Sequence, residues 1–192
     1  MSKVKAAVFA SGTGSNFQAL LETDNLQCEI ALLVCDNPHA AVIDKASAYK
    51  IPMFAFSPKS FSSKAAFEER IVERLQKAGI SWIFLAGYMR LVGPTLLEAF
   101  NNKIINIHPS LLPEFPGKDA IGQAYHSGVR KTGVTIHYVD EGMDTGPIIA
   151  QESIEVLNED TERSLKEKIQ QVEHQLYPKV INQLLQQSEG LI

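Results

Sequence analysis

Asn106 and His108 stand two positions apart at the end of the apolar run "KIINI", and Pro109, Pro113 and Pro116 follow at once. In a strand that continues through His108, residues two apart project to the same side. A side-chain amide beside an imidazole can clamp a developing oxyanion and supply a proton. A lone histidine at a strand end is more often a structural residue with its hydrogen bonds satisfied. Here Asn106 and the stiff segment "NIHPSLLPEFPG", residues 106–117, weigh the other way. Prolines this dense fit neither a helix interior nor a central strand, so the segment must end the strand and fix what it delivers.

A second group is "SGTGSN", residues 11–16, between an apolar strand pattern and a helix pattern. Gly12 and Gly14 permit close backbone approach, and the N–H groups of a helix start can hold phosphate. The stretch lacks the Gly-Lys-Ser/Thr ending of a P-loop. It is also a poor dinucleotide fingerprint, because Phe17 stands where the third glycine belongs, although Asp36 keeps a nicotinamide reading open. Ser15 and Asn16 add side-chain donors at the helix start, which suits a single phosphate. A plain capped turn is the alternative.

The third group is "DEGMDTG", residues 140–146. It reads as an acidic hairpin loop. It is a poor calcium loop, because the twelfth position counted from Asp140 is Gln151 and not Glu. A carboxylate from this loop next to His108 would favour the charged ring and could relay protons, but the spacing alone does not bring the two together. No His/Cys pattern at zinc spacing occurs, and no metal is expected. His137, inside a strand pattern, reads as core. Cys28 and Cys35, if on one strand, lie about 23 Å apart at ~3.3 Å per residue. Their odd separation puts them on opposite faces, so buried thiols and no mutual disulfide are expected.

The elements that must position these groups alternate. "VKAAVFA", "EIALLVCD", "PMFAF", "SWIFLAG" and "KIINI" read as strands, the longer ones apolar throughout as in a sheet buried on both faces. Between them "FQALLETD", "AAVIDKASAYK", "SKAAFEERIVERLQKAG" and "PTLLEAF" read as helices. This is the rhythm of βαβ units with right-handed crossovers. After Pro116 it changes. "AIGQAYHSG" is helical, "GVTIHYVD" and "GPIIAQESIEVL" form an antiparallel pair, and a long helix runs from about 160 to 187. The expected fold is α/β, a Rossmann-like open twisted sheet. Its N-terminal half is parallel, its C-terminal strands are antiparallel, and helices cover both faces. Residues 1–192 read as a single domain, 1–100 a nucleotide-binding half and 101–192 a catalytic half. In such a sheet ligands bind beyond the carboxyl ends of the strands, where both "SGTGSN" and "NIHP" lie.

The 192 residues are 45% hydrophobic and 21% charged, with a formal net charge of -4. No basic block suggests nucleic acid as a partner. The N-terminal "MSKVKAAVFASG" is faintly signal-like, but Lys5 interrupts it, and no stretch is long and apolar enough for a membrane span. A cytoplasmic protein is expected.

"SGTGSN", "LAGYMRLV", "NIHPSLLPEFPG", "GVTIHYVDEGMDTGPII" and "VEHQLYP", in this order and spacing, resemble the folate-dependent formyltransferases, and among them the phosphoribosylglycinamide (GAR) formyltransferases. The resemblance runs from about Val4 to Val180. It implies formyl transfer from 10-formyltetrahydrofolate to the amine of glycinamide ribonucleotide, in purine biosynthesis. Asn106, His108 and Asp144 match the catalytic trio. Asn106 would hold the formyl oxygen, His108 would stabilise the oxyanion and donate a proton, and Asp144 would support the charged ring. The phosphate would bind Gly12, Thr13, Gly14, Ser15 and Asn16, and Glu173 would contact the sugar. Met89, Arg90, Leu91 and Val92 would read the pteridine. Asp140, Glu141, Gly142 and Met143, with Asn106, would complete the folate pocket.

This sequence departs from the family in two places. Lys64 stands where an Arg often meets the folate tail, keeping charge without the bidentate fork. Lys118 and Asp119 replace a His common after "PG". Partners would be these small molecules only, for a monomer or homodimer. Three other readings remain. A formyltetrahydrofolate deformylase or a methionyl-tRNA formyltransferase is expected to carry a further domain. A Rossmann-type binding module would have no use for the trio.

Overall fold

A computed structural model describes residues 3–189. Seven strands form one sheet: β1 (Val4–Ala10), β2 (Cys28–Cys35), β3 (Met53–Ala55), β4 (Trp82–Leu85), β5 (Ile104–His108), β6 (Lys131–Tyr138) and β7 (Ile148–Glu155). Their order is β3-β2-β1-β4-β5-β6-β7. The first five are parallel, and β6 and β7 are antiparallel. The helices are α1 (Ser15–Leu21), α2 (Ala41–Ala48), α3 (Lys64–Lys77), α4 (Pro94–Ala99), α5 (Ala120–Ser127) and α6 (Glu162–Glu189). The expected rhythm and its change after Pro116 are both present. Met1 and Ser2 of the N-terminal stretch lie outside the described residues.

Every residue of β1 from Ala6 to Ala10 is fully buried, because helices cover both sheet faces. On one face Phe17, Leu20, Val42, Ala124 and the α6 residues Leu165, Ile169, Tyr177 and Ile181 pack on Ala6, Val8 and Ala10. On the other, Phe67, Ile71 and Leu75 of α3 and Leu96 of α4 pack on Ala7 and Phe9. The local grammar is consistent with this. The Ser63 hydroxyl accepts from Ala66 N–H to cap α3, and Gly79, at φ 70°, follows its end. Ahead of α6 the Thr161 hydroxyl accepts from Ser164 N–H while Ser164 Oγ accepts from Thr161 N–H. These bonds satisfy donors that the helix start leaves free.

One expectation is corrected. Cys28 and Cys35 share β2, but they face the same side, toward α1, α2 and α6. The β1–β2 register steps from Ala6↔Ile30 to Ala7↔Leu32, leaving Ala31 as an extra residue. That bulge resets the two-residue alternation, so an odd separation lands on one face. Both thiols are free and buried, and burial pushes the Cys28 thiol up to about 12.

The strand order reverses between β1 and β4. The chain leaves β1 toward β2 on one side and leaves β4 toward β5 on the other. The loops after these strands therefore diverge and open a crevice at the carboxyl edge.

Candidate active site

The crevice is a cavity of about 390 Å³. Its lining brings together Gly12–Asn16 and Glu173, the Leu85–Val92 stretch, Gly142 and Met143, and Asn106, His108, Gly117, His137 and Asp144.

The turn after β1 is shaped by close packing. Gly14 sits at φ 72°, and a Cβ there would fall 2.4 Å from Val42 Cγ2 of α2. Glycine is required for both the conformation and the approach. Around Gly12 the space is open, with no atom of the described residues within 4 Å of where a Cβ would stand. The sequence leaves Glu173 readable as a surface carboxylate. On α6 it is 7% exposed and reaches the cavity beside Asn16, itself 9% exposed. Burial raises its pKa to about 7, against a smaller opposite pull from the Asn16 amide. Asn16 Oδ1 is buried with no hydrogen-bond partner among the described residues. A buried carboxylate and an unpaired amide oxygen are acceptors suited to ligand hydroxyls.

Asn106 and His108 leave β5 on the same side, as their spacing predicts. His108 is 5% exposed. Its Nε2 lies 2.8 Å from the Phe115 carbonyl oxygen. A carbonyl can only accept, so Nε2 carries a hydrogen and Nδ1 is the atom free to gain or lose a proton. Nδ1 stands 3.5 Å from Asp144 Oδ2. That is longer than an ordinary hydrogen bond.

The proline segment makes this arrangement rigid. Thr135 Oγ1 of β6 donates to Ser110 O at 2.7 Å and accepts from Leu112 N–H at 3.0 Å. Gln151 of β7 donates to Leu112 O at 2.9 Å. The chain then passes Phe115, at φ 51°, and presents Gly117 N–H to Asp144 Oδ2 at 2.7 Å. The segment thus holds both partners: its carbonyl grips the ring, and its amide grips the carboxylate.

Asp144 arrives on the loop between β6 and β7 with φ 56°, a costly conformation for a residue other than glycine. The loop is stapled from within. Asp140 Oδ1 accepts from Gly142 N–H at 3.0 Å and from Thr145 Oγ1 at 2.7 Å. Gly146 passes so near Tyr138 that a Cβ would lie 1.8 Å from its carbonyl oxygen. Asp140 and Glu141 are not among the cavity-lining residues; Asp140 instead organises the turn that carries Asp144.

His137 is 2% exposed, as a core residue should be, yet it lines the cavity. It sits opposite Asn106 in the β5–β6 register. Its Nδ1 lies 2.7 Å from Tyr138 O, so Nδ1 carries the hydrogen and Nε2 accepts from Asn106 Nδ2 at 3.2 Å. Burial lowers the pKa of His137, which favours this neutral acceptor form. The contact orients the Asn106 amide and leaves its second hydrogen for another acceptor. Nothing in the sequence marks His137 beyond residue type, since the contact depends on the strand register.

Met89, Leu91 and Met143 are exposed apolar side chains at the cavity wall, at 60%, 49% and 54%. Arg90 pairs with Asp36 at 2.7 Å. Asp36, which the sequence left open as a nicotinamide contact, is thereby engaged within the protein. Lys64 starts α3 outside the cavity lining, and its Cε passes 3.0 Å from where a Gly93 Cβ would stand.

The family model described as Formyl transferase matches residues 4–181. The chain is 58% identical over 184 residues to phosphoribosylglycinamide formyltransferase of Bacillus subtilis, covering 94% of each. It is 37% identical over 179 residues to the human trifunctional purine biosynthetic protein adenosine-3, covering 92% of this chain and 18% of that protein. Among solved structures, phosphoribosylglycinamide formyltransferase from Bacillus halodurans superposes with a TM-score of 0.93 at 52% identity, over 97% of this chain and 98% of that one. Glycinamide ribonucleotide transformylase 1 from Geobacillus kaustophilus gives 0.92 at 57% identity, over 95% and 99%.

Proposed function

The chain belongs to the formyl transferase family, and on that premise we propose that it transfers the formyl group of 10-formyltetrahydrofolate to the amine of glycinamide ribonucleotide, yielding the formylated nucleotide and tetrahydrofolate in purine biosynthesis. The observation that carries this reading is the trio itself. Asn106 and His108 share a strand end, and Asp144 comes within 3.5 Å of His108 from a separate loop.

The chemistry runs as follows. The amine attacks the formyl carbon, leaving negative charge on the formyl oxygen and positive charge on the attacking nitrogen. The free N–H of Asn106 and the protonated Nδ1 of His108 stabilise that oxygen. Asp144 faces the charge on the ring. A proton passes from the attacking nitrogen toward N10 of the folate, through His108 or through water held by Asp144. The bond from carbon to N10 breaks as the carbonyl reforms. At one end Gly12–Asn16 would take the phosphate on backbone N–H groups, and Glu173 the sugar hydroxyls. At the other, Met89, Leu91 and Met143 offer an apolar slot for the pteridine, closed by the residues 140–144 loop, with Lys64 nearer the tail. The reading makes the protein a cytoplasmic enzyme of small molecules, monomer or homodimer.

The test is turnover of 10-formyltetrahydrofolate with and without glycinamide ribonucleotide. Tetrahydrofolate should appear only with the nucleotide. Release that ignores it would mean a hydrolase, and no turnover in either mixture would favour a binding module.

A further inference from the structure

Two parts of the cavity lining, residues 12–16 and 85–92, begin in different loops, and one carboxylate outside the lining bonds to both sides. Asp36 follows β2. Its Oδ1 accepts from Ser11 Oγ, next to Gly12 in the turn after β1. Its Oδ2 accepts from Arg90 Nε at 2.7 Å, in the loop after β4. The same Ser11 hydroxyl accepts from Met89 N–H at 2.9 Å, and Ser11 N–H donates to Gly87 O at 3.1 Å. The Asp36 side chain is 7% exposed although Arg90 is 42% exposed, so the carboxylate itself is held away from water while its partner reaches it. The far end of the β4 loop is also pinned, by Gly93 N–H donating to Glu68 Oε1 at 2.7 Å.

We propose that Asp36 is a positioning residue shared by both halves of the site, bolting the nucleotide turn to the folate loop and so setting the spacing between the two substrates. This rests on the two-substrate reading above. Formyl transfer needs the amine and the formyl carbon within a few tenths of an ångström of their reacting geometry, and small misplacements are costly.

Asp36→Asn keeps an acceptor for Ser11 but removes the anion facing Arg90. It should raise KM for both substrates and lower kcat/KM roughly ten- to a hundredfold. Ser11→Ala, on the nucleotide side, should raise the folate KM as well. Adding it to Asp36→Asn should cost much less than the product of the single effects, because both changes weaken one hydrogen-bonded network. A lower melting temperature with unchanged kinetic constants, or a KM change confined to one substrate, would overturn the proposal. Wild-type protein is assayed first, and absence of transfer there would overturn the reading of the reaction instead. Hydrogen exchange then decides the mechanical claim. Asp36→Asn should speed exchange in both residues 11–16 and residues 86–92, and acceleration in one segment alone, or in neither, refutes the bolt.

Discussion

At the residue scale, the site depends on side chains whose two polar ends serve different masters. His108 spends Nε2 on the Phe115 carbonyl and leaves Nδ1 facing Asp144. Asp144→Asn preserves shape and removes the charge opposite that nitrogen. Turnover should fall by roughly 10² or more, the usual range for a lost acid–base partner. Nucleotide affinity, measured calorimetrically, should change little, because the proposed phosphate site is the residues 12–16 turn, on a different element from Asp144. Near-normal turnover would remove Asp144 from the mechanism. His137 gives a second case. It accepts from Asn106 and orients the amide, so His137→Leu should free that amide to rotate. The expected outcome is a lower kcat, about tenfold, with little change in either KM, the pattern of a lost transition-state contact. Steady-state kinetics with each substrate varied would show it.

At the scale of elements, α6 does more than cover the sheet. Tyr177, fully buried, donates through its hydroxyl to Leu85 O at 2.8 Å and lies 3.3 Å from Ile105 O. Leu85 ends β4 just before the residues 86–92 loop, and Ile105 stands in β5 just before the Asn106–His108 pair. Tyr177→Phe leaves them buried with one fewer donor. It should destabilise the fold by about 1–2 kcal/mol, read from the urea midpoint at unchanged slope. Elements were also where patterns were most legible. The apolar runs of β1, β2 and β4, the helical stripe of α3 and the stop at Gly79 follow from local chemistry. The facing of Cys28 and Cys35 did not, because a single extra residue, Ala31, reverses the alternation and leaves no signature in composition.

At the scale of the whole molecule, Glu173 links the site to global stability. Its carboxyl titrates near 7 in the fold, against 4.5 for an unperturbed group. The folded state therefore holds a proton that the unfolded chain has already lost between those values. Stability should fall as pH rises from about 4.5 to about 7, and stay reduced above it. Glu173→Gln removes this loss. The variant should be more stable than wild type at pH 8, by on the order of 3 kcal/mol at most. The difference should close toward pH 4.5. Melting curves across that range check it, and a constant offset at all pH values would show that the carboxylate is not the cause.

Taken alone, the sequence determined the parallel α/β half, the antiparallel pair after Pro116, and the candidates Asn106, His108 and the glycine turn. Each of these follows from periodicity, turn chemistry or strand-end placement, which are local. The tertiary structure decided what these residues meet. Asp144 reaches His108 because Gly117 N–H holds its carboxylate. His137 faces Asn106 because β5 and β6 pair in that register. Asp36 and Glu173 acquire partners from segments far along the chain. Such meetings depend on strand order, register and burial, which are properties of the packed chain and not of any short stretch of it.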